Sequence, residues 1–93
     1  MKRIQIGENL FEGYEIPTPN SVILLIKAER GFLGCGYFSR ETADKVGDAA
    51  VIVTGVKTFE AMLEAKVKAV SAAAAALGVT TEMNGKEALL KLA

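Results

Sequence analysis

The stretch SVILLIKA, residues 21–28, is apolar at almost every position. Side chains alternate along a strand, so a strand with one wet face shows alternating polarity. A continuous apolar run reads instead as a strand covered on both faces. A chain of 93 residues must supply both covers around one modest core.

The turn ERG, residues 29–31, leads into FLGCGYF, residues 32–38, which reads as the returning arm of a hairpin. Gly31, Gly34 and Gly36 are unusual there, because glycine loses the most backbone entropy and brings no side chain to pack. Read as an unbroken strand, the arm puts Phe32, Gly34, Gly36 and Phe38 on one face and Leu33, Cys35 and Tyr37 on the other. The first face then carries a two-glycine notch between aromatic walls. Its expected occupant is the alanine-rich segment KVKAVSAAAAALG, residues 66–78. Read as one helix, it has Val67, Val70, Ala74 and Leu77 at helical spacing and Gly78 as a left-handed cap. A ligand cleft on that face is the alternative.

The remaining elements follow from local pattern. MKRIQIG alternates and reads as a short half-exposed strand with Ile4 and Ile6 inward. In NLFEGYEIPTPN, Tyr14 and Ile16 extend a second strand that Pro17 and Pro19 end, which makes the segment an edge or a connection. Ser39 caps a short helix, RETADKVG, and DAAVIVTG is another strand. Thr58 caps FEAMLEA, with Phe59, Met62 and Leu63 as its stripe, and this helix runs almost into the alanine-rich one. Asn84 and Glu87 have capping-box spacing at the start of the last helix, which Leu89, Leu90 and Leu92 bind to the body. The sum is a single α+β domain over 1–93, a mostly antiparallel sheet with helices packed on one face. Such a layer leaves the second face of strand 21–28 uncovered. Another copy of the chain is the economical cover, so a homo-oligomer is expected.

Composition agrees. Apolar residues make up 51% of the chain, a high share for a small body with much surface. Charge is balanced, 11 basic against 11 acidic residues, with no basic block. That argues against a nucleic-acid backbone and against an anionic membrane surface as partners. No apolar run is long enough to span a bilayer, and the opening residues do not read as a signal peptide. One cysteine cannot form an internal disulfide, so the cytoplasm is the expected compartment. There is no histidine, which removes the commonest general base and metal ligand, and neither a metal nor a cofactor is expected.

Three features carry candidate chemistry. Cys35 is the one strong nucleophile, but activating it takes a neighbouring cation, and Lys57 is the candidate; the plain alternative is a small buried apolar residue. VTGVKT, residues 53–58, reads as a strand, a tight turn and a helix start. Gly55, Lys57 and Thr58 are therefore candidate binders of a small anion. Val56 separates Gly55 from Lys57, so this is no Walker loop, and a capped turn with a solvated lysine is the alternative. Asp44 and Asp48 have no second carboxylate at a spacing that marks a catalytic pair. Tyr14 and Tyr37 read as residues of the oligomer face.

GFLGCGYF, AAVIVTGVKTFEAMLEA, AVSAAAAALGV and EMNGKEALLKL follow one another in an order and spacing that resembles the YunC-like family of small bacterial and archaeal proteins, grouped as a domain of unknown function. The most specific pieces are Cys35-Gly36, the turn at 55–58, and Met83, Gly85, Glu87, Ala88 and Leu89. Relatives often have Asp at the place of Ser39; both residues cap helices. The resemblance implies a homotetramer assembled through the N-terminal β region, residues 1–20, and implies no reaction. Two functions remain: an oligomer binding a small anionic metabolite near the 55–58 turn and Cys35, or a structural scaffold with no small-molecule site.

Overall fold

The two-sided apolar strand lies in the interior of a sheet. The computed structural model describes residues 1–93. β1 (Lys2–Ile6), β2 (Asn9–Pro17), β3 (Val22–Lys27), β4 (Phe32–Gly34), β5 (Ala50–Ile52) and β6 (Ala69–Val70) form one sheet in the order β1-β2-β3-β4-β5-β6. Every neighbouring pair is antiparallel except β4–β5, which is parallel. The helix α1 (Arg40–Val46) makes the crossover between those two strands. With α2 (Phe59–Glu64), α3 (Ala72–Ala76) and α4 (Gly85–Leu92) the chain is an α+β fold on a mostly antiparallel sheet. No helix is long and apolar enough to cross a membrane.

Register assigns the faces. Ile26 pairs with Leu33, and Leu33 with Val51, so these side chains share one face with Leu24 and, across β2 and β1, with Phe11 and Ile4. All are buried in the main hydrophobic cluster together with Met62, Leu89 and Leu92. On α4 the buried residues Gly85, Ala88, Leu89 and Leu92 fall at helical spacing. Gly85 lets the two helices meet closely, since a Cβ there would run into the Met62 carbonyl oxygen and touch Leu33. The main helical cover, α2 and α4, therefore lies on the Leu33 face.

This reverses the expected orientation of the hairpin. Leu33 and Cys35 point into the helix-covered core, and Gly34 points to the opposite face. β4 ends at Gly34, so Gly36 and Phe38 are not strand residues. The chain turns, with Phe38 N–H donating to Cys35 O at 3.1 Å, and Phe38 folds back over Gly34. A Cβ at Gly34 would lie 2.6 Å from the Phe38 ring, so the notch is filled by its own aromatic neighbour and not by the alanine-rich segment. Phe38 and Phe32 stack tilted, with centroids 5.5 Å apart. Together with α1 they cover the β4–β5 end of this second face, where Ala43, Ala50 and Ile52 are buried. Over β2 and β3 the same face is open. Leu10 and Ile16 are 60% and 57% exposed, and Tyr14, Ile23 and Leu25 are half-buried.

Residues 66–78 do not form one helix. Lys68 N–H donates to Ile52 O at 2.8 Å and Ser71 N–H to Ala50 O at 2.9 Å, so the first half is the edge strand β6. Val67 and Val70 are β-branched and favour that state, while the following alanine run is too short to nucleate a long helix. Ser71 decides the boundary. Its buried hydroxyl donates to Asp48 O at 2.8 Å, accepts from Ala50 N–H at 2.8 Å, and caps α3 through Ala74 N–H at 3.3 Å. Gly78, at φ +97°, stops the helix as expected. Ser39, Thr58 and Asn84 cap α1, α2 and α4, the last with a complete capping box. Leu90 is exposed and takes no part in holding α4 to the body. β2 is not an edge along its whole length: β1 pairs with it as far as Gly13, and only Tyr14–Pro17 project beyond that partner.

Ser71→Ala leaves the buried Ala50 N–H and Asp48 carbonyl without their side-chain partner. Urea unfolding is expected to show a loss of about 2–3 kcal/mol, several times the effect of Ser39→Ala at an exposed cap.

Candidate functional site

The parallel pair β4–β5 sends both of its connections out at the same sheet end, and they part there. From β4 the chain runs through Cys35–Phe38 to α1, over the Gly34 face. From β5 it runs through Val53–Thr58 to α2, over the Leu33 face. Connections diverging from the carboxyl ends of neighbouring parallel strands leave a crevice between them, the usual ligand position in open α/β sheets. Such a crevice is present, with a volume of about 300 Å³. Cys35, Gly36 and Tyr37 of the first loop and Gly55, Val56 and Lys57 of the second line it, and Ser21 and Val22 at the start of β3 close it.

Sequence reading named Cys35, Gly55, Lys57 and Thr58, and three of the four meet here. Gly55 turns the second loop at φ +71°, a conformation that glycine adopts without steric cost. Lys57 is exposed and is the crevice's one charged residue. It also borders an adjoining groove that Glu15 helps to line. Thr58 is not in the lining. Its Oγ1 accepts from Ala61 N–H at 3.0 Å and is used as the cap of α2. That helix has six residues, so it contributes little dipole, and attraction for an anion rests on Lys57 and the loop amides.

Cys35 is 4% exposed. Its N–H donates to Leu24 O at 3.1 Å, but its own carbonyl is taken by Phe38 N–H as the chain turns. The Leu24 N–H, left without that ladder acceptor, donates to Cys35 Sγ at 3.3 Å. Sulfur thus replaces a backbone carbonyl where the strand ends, a structural use for a weak acceptor. No cation contacts the sulfur by hydrogen bond, and the arrangement is one for holding the loop rather than for activating a thiolate.

Asp44 Oδ1 accepts from Ala72 N–H at 2.7 Å and so anchors the start of α3. Tyr14 is on the open sheet face. Its hydroxyl donates to Glu12 Oε1 at 2.8 Å, and this bond, followed by desolvation and the negative charge of Glu12, holds the phenol above its ordinary range. Tyr37 is 59% exposed, and its Oη lies 3.5 Å from Thr18 Oγ1 at the crevice mouth. Sequence reading did not bring in Ser21 and Val22. The hairpin register was the available signal: with Leu24 beside Cys35, the start of β3 falls at the same end as the turn.

Native Cys35 is expected to react with iodoacetamide at least about tenfold more slowly than the urea-unfolded chain. Thiol titration over time checks this; equal rates would mean that the loop does not shelter the sulfur.

Comparison with known proteins shows the family and the fold. A family model described as "Domain of unknown function (DUF1805)" matches residues 34–92, which contain both crevice loops. The chain is 29% identical over 93 residues to uncharacterized protein YunC of Bacillus subtilis (strain 168), covering 96% of this chain and 92% of YunC. A crystal structure of a protein of unknown function from Thermoplasma acidophilum superposes with a TM-score of 0.93 at 37% identity. The match covers 99% of this chain and 90% of that one. From the crevice loops to the last helix, this chain belongs to the YunC-like DUF1805 family.

Proposed function

We propose that this chain is a homo-oligomeric protein of the cytoplasm that holds a small anionic metabolite in the crevice between the Cys35–Tyr37 and Gly55–Lys57 loops. The observation that carries the reading is the convergence of those loops on a crevice whose single charged side chain is cationic. An isolated lysine beside a partly apolar wall favours a counter-ion of opposite charge. Cys35 serves this reading by fixing the loop, and the binding role falls on Lys57 with Gly55. Thr58 supports it indirectly, by capping the helix that follows.

The oligomer rests on the open sheet face. Tyr14, Ile16, Ile23 and Leu25 leave an apolar surface over β2 and β3, with Leu10 beyond the Glu12–Lys27 pair, and a second copy is the economical cover for it. A homotetramer built through residues 1–20, as the family resemblance implies, uses β1 and β2, the strands that carry part of this surface. The second reading, a scaffold without a small-molecule site, draws on the use of Cys35 and Thr58 as structural hydrogen-bond partners.

A thermal-shift screen with phosphorylated and carboxylated metabolites separates the two. At least one anion is expected to raise the melting temperature by a few degrees at saturation, and Lys57→Ala is expected to abolish that rise without altering assembly. A flat response across the screen favours the scaffold.

Leu25→Glu puts a charge in the middle of the apolar face. Sedimentation velocity is expected to show the parent chain as an oligomer and the variant as folded single chains. A monomeric parent at micromolar concentration would remove the oligomer from the reading.

A further inference from the structure

Two loops border the crevice, and five of their backbone donors are unspent. The N–H groups of Gly36, Tyr37, Gly55, Val56 and Lys57 have no acceptor within the chain. These donors come from two segments that approach one another only because β4 and β5 are parallel neighbours. Backbone amides without an acceptor in the chain are available to an anion. Lys57 adds one positive charge, and Glu15 lines the adjoining groove that shares Ser21, Val22 and Lys57 with the crevice. A dianion would meet one cation and a nearby carboxylate, whereas a monoanion is matched by Lys57 alone. Val22, Val56 and the Tyr37 ring supply an apolar wall beside this head-group position. At about 300 Å³ the crevice is at the small end of ligand pockets.

Resting on the reading of this crevice as an anion site, we infer that its ligand is a small monocarboxylate with a short apolar chain. The carboxylate oxygens take the free amides of the two loops and the Lys57 ammonium, and the chain lies against Val22 and Val56. The loops are thereby joined by the ligand beyond the last backbone bond between their strands, Val53 N–H to Gly34 O.

The test is an amide-resolved NMR titration of the intact protein with three probes of matched length: butyrate, propyl phosphate and butan-1-ol. Butyrate is expected to shift the amides of both loops together and saturably, with half-saturation at least about tenfold below that of propyl phosphate. Butan-1-ol is expected to shift neither loop. Lys57→Met, which keeps the stem and removes the charge, is expected to weaken butyrate by about tenfold or more while leaving the remaining amide positions unchanged. Tighter binding of propyl phosphate at these loops would overturn the monocarboxylate and leave the anion site standing. Shifts by butan-1-ol equal to those by butyrate would overturn both, as would the absence of any saturable shift. Saturation that Lys57→Met leaves unaltered would overturn the assignment of the head group to Lys57.

Discussion

The parallel seam between β4 and β5 is the constraint on which the rest of the molecule depends. It exists because Gly31 has no side chain: a Cβ there would run into the Ala49 carbonyl, which instead comes close enough to accept from Phe32 N–H at 3.0 Å. At the other end Val53 N–H donates to Gly34 O at 3.0 Å. With the two strands running the same way, both outgoing loops emerge at one end of the sheet. With α1 and α2 on opposite faces, those loops must part. The crevice follows from these two facts before any side chain is considered.

Three glycines near Cys35 then have three different causes. Gly31 admits a backbone carbonyl. Gly34 admits the Phe38 ring. Gly36 meets only the Thr54 methyl, at an ordinary 3.6 Å, and has room for more than a hydrogen. Elsewhere Gly13 does a similar service in β2, where a Cβ would lie 2.9 Å from the Phe59 ring and 2.7 Å from Ile4. Packing accounts for Gly13, Gly31 and Gly34, and the loop glycines Gly36 and Gly55 are left to border the crevice.

Part of the site was legible because its residues stand in distinctive local patterns. A single cysteine flanked by glycines and a lysine in a strand-to-helix turn stand out, and the fold brings both to one crevice. Thr58 was picked for the same turn and proves to be a helix cap, since a Thr before an apolar helical stripe satisfies a backbone donor whether or not a ligand is near. Ser21 and Val22 carry no chemical signal of their own and enter only through the register of β3. The faces of the hairpin were misread because the notch at Gly34 was assigned to the alanine-rich segment, whereas the Phe38 ring fills it and the helices cover the Leu33 face.

By itself the sequence determined the local features: the caps at Ser39, Thr58 and Asn84, the apolar faces of α2 and α4, the two-sided β3, and the mixture of strands and helices. These depend on contacts a few residues apart, so pattern and spacing suffice to reveal them. Only the tertiary structure decided that β5 pairs parallel to β4, that residues 69–70 close the sheet as a strand before α3 begins, and that Leu33 and Cys35 face the helices. Those outcomes turn on partners far apart in the chain, such as Ala49 against Gly31 and Ser71 against Ala50, whose mutual fit is written in no local run of residues.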